Sequence, residues 1–257
     1  MNTRKPALPR PPTSDDVEQH LRDLKLTSIA EHYRDLARQA AHQQWAPLDY
    51  LGHLVEGEAR LRQDRATHRR IRLARFPVIK TLDQFRWDWP TQINRELIQH
   101  HFTLSFLKEH INLFYLGGVG LGKTHLAVAL GYEACLKGHS VLFTSAMDII
   151  NTLSAAKSTG RLKQEIKKYA KPPLLLVDEL GYLPIDKSGA DLLFQVISAR
   201  YEHGSTLITS NRAFKEWPKI FNNDSTLTAA LLDRLLHHAE TVVIEGKSYR
   251  MKGKLEV

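Results

Sequence analysis

The sequence predicts an α/β protein in which a five-stranded parallel sheet, flanked by helices, follows a small all-helical domain. Three observations predict it. From Ile111 onward, short apolar runs alternate with helical stretches, the texture of a parallel sheet with crossover helices. A glycine-rich loop stands between the first of those runs and the helix after it. Residues 14–76, by contrast, carry apolar residues at three- and four-residue steps and no strand pattern.

A chain of 257 residues, 42% hydrophobic and 25% charged, can bury a sizeable core, which excludes disorder over most of its length. Its longest apolar runs, such as Leu174 to Val177, fall far short of the roughly 20 residues that span a bilayer, so no membrane partner is expected. The lone Cys135 excludes an internal disulfide and a Cys-x-x-Cys zinc site, and it fits a reducing compartment. Met1 to Pro12 lacks the apolar stretch of a secretory signal, and a cytoplasmic location is expected.

Residues 1–13, rich in proline and basic side chains, are expected to form a disordered leader. Residues 14–80 form the helical domain: Val17, Leu21 and Leu24, then Leu26, Ile29, Tyr33 and Leu36, mark an amphipathic helix pair, and Pro47 opens a further helix that Phe76-Pro77 stops. Residues 81–110 are a connector with short helices, and residues 111–257 are the sheet domain. Its strands are expected at 111–116, 140–144, 174–178, 205–210 and 241–245. Ser145 with Asp148 and Ser188 with Asp191 fit capping boxes, while Gly138 and Gly204 stand where a helix end takes a left-handed residue.

Gly117-Gly118-Val119-Gly120-Leu121-Gly122-Lys123-Thr124 matches G-x-x-x-x-G-K-[ST] in its strand-loop-helix setting. Such a loop wraps phosphates with backbone N–H groups, and the following helix adds its positive end. Lys123 is expected to reach the β- and γ-phosphates of ATP, and Thr124 to ligate Mg²⁺. The third strand ends in Asp178-Glu179, two carboxylates at the carboxyl edge of the sheet, where open α/β sheets bind ligands. Asp178 is placed to hold Mg²⁺ and Glu179 to orient the attacking water. Asn211, at the tip of the fourth strand, is the candidate γ-phosphate sensor. Arg234, within Leu231-Leu232-Asp233-Arg234-Leu235-Leu236, is the candidate arginine finger for a neighbouring subunit, its apolar neighbours packing inward.

These residues give the chain a resemblance to the IstB family of AAA+ ATPases, transposition helpers of insertion sequences whose ATPase core is similar to that of the helicase loader DnaC. Leu-Leu-Asp-Arg-Leu and Ser248-Tyr249-Arg250 carry the resemblance in the ATPase core. Leu24-Lys25-Leu26, Glu56 to Arg62, and Phe76-Pro77 with Lys80-Thr81-Leu82 carry it in the helical domain. The resemblance implies an AAA+ P-loop core, DNA-stimulated ATP hydrolysis, a homo-oligomer (ring or helical filament) with ATP at its interfaces, assembly on duplex DNA, and delivery of target DNA to a partner transposase. It places Arg234 at the family's finger position; apart from the resemblance, Arg250 is expected to act as a second nucleotide sensor. With the chain ending at Val257, no helical lid domain is expected after the fifth strand, so nucleotide closure would rely on the neighbouring subunit.

In that context the net charge of +8 acquires a use. Seven arginines against Asp64 lie between Arg60 and Arg75, where Arg62, Arg65, Arg69 and Arg72 make a stripe at steps of three and four. Six basic residues against Glu165 lie between Lys157 and Lys171, where Lys157, Arg161, Lys163, Lys167 and Lys168 fall in an extra helix facing the channel of initiator-type AAA+ proteins. Both are expected to contact DNA phosphates without reading sequence.

Asp178-Glu179-Leu180-Gly181 also satisfies the D-x-x-G of GTPases, but no lysine is followed two residues later by Asp, as guanine selection requires. A small-molecule kinase would carry an arginine-rich lid over the phosphates. A DnaC-like helicase loader acting in DNA replication is the nearest alternative, and the arginine stripe suits duplex DNA better than a helicase. The pairs His100-His101 and His237-His238 read as partly exposed helix residues lacking a third metal ligand.

Overall fold

The computed structural model describes residues 13–251 and divides into two compact units that meet between His68 and Arg69. The first holds α1 (Ser14–Asp23), α2 (Thr27–His42) and most of α3 (Pro47–Ala74). Thr13 caps α1 in a reciprocal capping box with Asp16. Neither α1 nor α2 has a fully buried residue, so polar contacts help fix the unit. The carboxylate of Glu58, 5% exposed, accepts from the Ser28 backbone N–H at 2.9 Å and from Arg62 at 3.0 Å. That pairing supplies a buried charge with the partners it needs. Tyr50 donates its hydroxyl to the Tyr33 carbonyl at 3.0 Å.

The second unit contains α4 (Arg95–His101), β1 (Asn112–Gly117), α5 (Lys123–Leu136), β2 (Val141–Ser145), α6 (Ala146–Ser158), α7 (Leu162–Ala170), β3 (Leu174–Leu180), α8 (Lys187–Arg200), β4 (Ser205–Ser210), α9 (Trp217–Ile220), α10 (Ser225–Leu236) and β5 (Ala239–Ile244). The five strands are all parallel in the order β2-β3-β4-β1-β5. Every strand expected from sequence is present, with ends shifted by no more than two residues. Two cores sandwich the sheet. Ile149, Leu153, Leu193, Val196, Trp217 and Leu231 cover one face, while Leu126, Leu130, Ile98 and Phe106 cover the other. Among the described residues no helix is long and apolar enough to cross a membrane. Residues 1–12 of the expected leader lie outside the described residues.

Two expected helix ends differ. Asp186, not Ser188, caps α8, accepting from the Gly189 N–H at 2.8 Å, because the chain enters this helix two residues earlier than the Ser-x-x-Asp pattern suggests. Gly204 is not left-handed. After α8 the left-handed turn falls on Glu202 at φ 58°, and Gly204 abuts the Arg200 guanidinium, where a Cβ would stand 2.9 Å from Nη2. Gly138 does take a left-handed φ of 96° after α5, and Ser145 caps α6 by accepting from the Asp148 N–H at 3.0 Å.

Candidate functional site

The strand order puts β4 between β1 and β3, so the carboxyl ends of these three strands open onto one cleft of about 650 Å³, a size suited to a small ligand. From β1 comes the loop from Gly117 to Gly122. Its turn needs left-handed backbone at Gly120 (φ 76°) and Gly122 (φ 89°), and a Cβ on Gly122 would run into the Phe85 ring. Lys123 opens α5, and its ammonium reaches back to donate to the carbonyls of Gly117 (2.8 Å) and Gly118 (2.6 Å). Val119, Gly120, Leu121, Gly122, Lys123 and Thr124 all line the cleft.

Asp178 is 7% exposed at the end of β3. Thr124 Oγ1 donates to its Oδ1 and Oδ2 at 2.9 and 3.0 Å, and Thr209 Oγ1 makes a short bond to the same Oδ1. A hydroxyl and a carboxylate in contact are the hard oxygen donors that Mg²⁺ selects, so the residues present fit that ion. Glu179 is exposed and lines the cleft, with its backbone held left-handed at φ 60°. Asn211 also lines the cleft, and its Oδ1 is buried with no hydrogen-bond partner among the described residues.

Residues from outside the sheet close the other side of the cleft, Tyr249 of the Ser248-Tyr249-Arg250 segment and three that no sequence motif marks. Phe85, Arg86 and Trp89 come from the connector and Tyr249 from the segment after β5. Trp89 and Tyr249 meet edge to face at 5.3 Å, Trp89 donates to the Lys247 carbonyl at 2.8 Å, and the Tyr249 N–H donates to Gly120 O at 2.9 Å. The carboxyl-terminal segment is thereby fastened against the glycine-rich loop. Arg86 brings a guanidinium to the cleft from outside the sheet, already engaged with both oxygens of Asp88 at 3.0 and 2.8 Å. His125, edge-on to Phe85, donates to the Thr81 carbonyl at 2.9 Å, and burial lowers its pKa. Arg250 has its backbone in a short 3₁₀ turn, and its side chain lies outside the described residues.

Arg234 does not line its own cleft. It is half-buried on α10, with its guanidinium over the Phe194 ring of α8, while Leu231 and Leu235 point into the core. Each basic residue expected to meet DNA is exposed. Arg62 and Arg65, in the first unit, make bonds to Glu58 and to Thr27 Oγ1 (3.2 Å) respectively, and Arg69 and Arg72 belong to the second unit. Lys157 lies in the last turn of α6, Arg161 precedes α7, and α7 carries Lys163, Lys167 and Lys168, the last paired with Glu165 at 2.6 Å. This helical hairpin is anchored by an arginine that no sequence motif marks. Arg200, 2% exposed, donates to the carbonyls of Tyr169 (2.7 Å), Pro172 (2.8 Å) and Ser205 (2.6 Å), and burial lowers its pKa to about 10.

Two expectations about histidines are corrected. His101 is fully buried, between Tyr115 Oη at 3.1 Å and Glu240 Oε2 at 2.9 Å, because α4 packs its inner face on β1 and β5. His237 and His238 do gain a third neighbour, since the turn after α8 brings Glu202 close enough that the ligand atoms of all three exposed residues lie within 4.8 Å of one another.

A family profile described as IstB-like ATP binding protein matches residues 19–257. The ATP-binding protein of insertion sequence IS5376 from Geobacillus stearothermophilus is 37% identical over 93% of this chain and 94% of its own length. The corresponding protein of IS21 from Pseudomonas aeruginosa is 38% identical over 93% and 90%. Among solved structures, the DnaC helicase loader aligns with a TM-score of 0.55 at 24% identity, covering 64% of this chain and 96% of that one. AMPPCP-bound DnaA from Aquifex aeolicus aligns with a TM-score of 0.56 at 22% identity, covering 69% and 54%. At those identities the likeness concerns the fold.

Proposed function

Because the chain belongs to the IstB-like family of insertion-sequence ATP-binding proteins, we propose that it hydrolyses ATP while assembled as a homo-oligomer on duplex DNA and hands that DNA to a transposase. The observation that carries the hydrolytic part is the meeting of the Lys123-Thr124 loop with Asp178 and Glu179 at one cleft. Loop N–H groups and the Lys123 ammonium bind the β- and γ-phosphates. Thr124 and Asp178 would hold Mg²⁺, which neutralises phosphate charge when bound. Glu179 orients a water whose oxygen attacks the γ-phosphorus as the bond to the β-bridging oxygen breaks, giving ADP and phosphate. Asn211, whose Oδ1 is buried without a partner among the described residues, accepts from that water, and Arg250 senses the nucleotide. The apolar wall of Phe85, Trp89 and Tyr249 suits a base.

The positive charge at the γ-phosphate comes from Arg234 of a neighbouring subunit, since Arg234 stands away from its own cleft. The helical domain of residues 14–80, with Arg62, Arg65, Arg69 and Arg72, and the hairpin carrying Lys157, Arg161, Lys163, Lys167 and Lys168 grip phosphates. Membership in a family named for insertion sequences supports transposition as the setting. Electron microscopy of the full chain on a long duplex tests the assembly: ordered rings or filaments with a non-hydrolysable ATP analogue and their absence with ADP are expected, and identical particles in both states would overturn it.

A further inference from the structure

Two residues of β3 stand opposite one of β4. Val177 pairs with Ile208 and Leu180 with Ser210, so Asp178 and Glu179 together face Thr209 across a register shift. That is the geometry of a β-bulge, which bends the strand and re-aims its side chains. In a regular strand successive side chains point to opposite faces. Here Asp178 meets Thr124 while Glu179, its neighbour in sequence, also lines the cleft.

The bulge has two local costs. Glu179 takes a left-handed φ of 60°, uncommon for a residue with a side chain, and its N–H would lose the ladder acceptor that a regular pair supplies. Thr209, 1% exposed, answers the second: its Oγ1 accepts the Glu179 N–H at 3.0 Å while its hydrogen goes to Asp178 Oδ1. One hydroxyl thus ties the backbone of the water-orienting residue to the carboxylate of the metal-holding one, and ties both to the strand whose tip bears Asn211.

We infer that Thr209 is a positioning residue of the ATP site, its hydroxyl holding Asp178 and Glu179 in register for metal binding and hydrolysis; this rests on the hydrolytic function proposed above. Thr209, at the floor of the cleft, acts through its two neighbours, to which both of its hydroxyl bonds go. Valine has nearly the same shape and no hydroxyl, so Thr209→Val orphans the Glu179 N–H and removes one donor from Asp178. Serine restores both bonds.

The full chain is compared as wild type, Thr209→Val and Thr209→Ser, by binding of a fluorescent ATP analogue without divalent ion, by Mn²⁺ affinity of the nucleotide complex from electron paramagnetic resonance, and by steady-state turnover. Thr209→Val is expected to bind nucleotide alone as the wild type does, to hold Mn²⁺ about 10- to 100-fold more weakly, and to lose kcat by a similar factor, the range seen when partners of metal ligands are removed. Thr209→Ser is expected to return within a few-fold of wild type in both. If Thr209→Val does not fold, Thr209→Ala takes its place in the same comparison. Unchanged Mn²⁺ affinity and kcat in the hydroxyl-free variant would overturn the inference, as would equal impairment of the serine variant, which would place the effect in packing. A wild type without turnover would sink the hydrolytic function, while the Mn²⁺ comparison would still decide the role of Thr209.

Discussion

The central carbon of the Arg234 guanidinium lies 4.4 Å from the centroid of the Phe194 ring, joining α10 to α8 through two residues that do not line the cleft. The aromatic face gives a half-exposed arginine a fixed direction without neutralising it, unlike the bidentate Asp88 grip on Arg86. That is what a finger supplied in trans requires. Arg234→Ala is therefore expected to bind ATP normally and to lose turnover by about 10³- to 10⁵-fold, the value of such arginines in phosphoryl transfer. Mixing it with Lys123→Ala should restore part of the rate, because one class of interface then joins an intact cleft to an intact arginine. A mixture as inactive as its components, with mixed oligomers demonstrated, would exclude Arg234 and turn attention to Arg250.

Lys123 and Glu179 should fail in different ways. In the proposed mechanism Lys123 faces phosphate charge before and during reaction, whereas Glu179 acts on water alone. Lys123→Ala is expected to weaken ATP binding and abolish hydrolysis. Glu179→Gln should keep ATP bound with turnover reduced about 10²- to 10³-fold, the scale of losing one transition-state contact. Equal loss of ATP affinity in both, measured by equilibrium titration, would contradict the assignment.

The contiguous parts of the site were legible in the sequence because the glycine-rich loop and the acidic pair are each local. Gly117 to Thr124 is one turn between a strand and a helix, and Asp178-Glu179 ends one apolar strand. What joins separate elements was not legible. The bulge exists only once β3 pairs with β4, so Thr209 reads in sequence as one more β-branched strand residue. The aromatic wall needs Trp89 and Lys247, 158 residues apart, to meet. His100 and His101 look alike in sequence, and only the docking of α4 makes one exposed and the other fully buried. Arg200 reads as a surface charge until Gly204 lets the chain close around it.

Buried His101 gives a pH dependence of definite sign. Burial lowers its pKa below the ordinary 6.5, with Glu240 partly opposing. The neutral ring, donating from Nε2 to Glu240 and accepting the Tyr115 hydroxyl at Nδ1, is the folded form. The unfolded chain then binds more protons as pH falls below about 6.5, so this contribution to stability is present above that pH and is lost on acidification. Thermal melts from pH 7.5 to 5 should show Tm of the wild type falling more steeply than that of His101→Gln. Parallel curves would remove His101 as the cause.

Contacts to DNA phosphates carry their own signature. If the basic residues of α3 and α7 each displace counterions, raising salt from 50 to 200 mM should weaken duplex binding by about 10³- to 10⁵-fold for six to ten contacts. Arg69→Glu with Arg72→Glu, or Lys163→Glu with Lys167→Glu, should reduce both affinity and the salt slope on unrelated duplexes alike. These side chains are exposed, so folding should change little. Loss confined to one sequence, by fluorescence anisotropy, would point instead to base reading.

The proposed hydrolysis of ATP on duplex DNA is tested by steady-state ATP turnover of the full chain without DNA, with duplex, and with single strands at equal nucleotide concentration. Duplex should stimulate turnover strongly and single strands weakly, with stimulation lost in Arg234→Ala. Stimulation by single strands alone would contradict the account and favour a helicase loader, and turnover indifferent to DNA would contradict both.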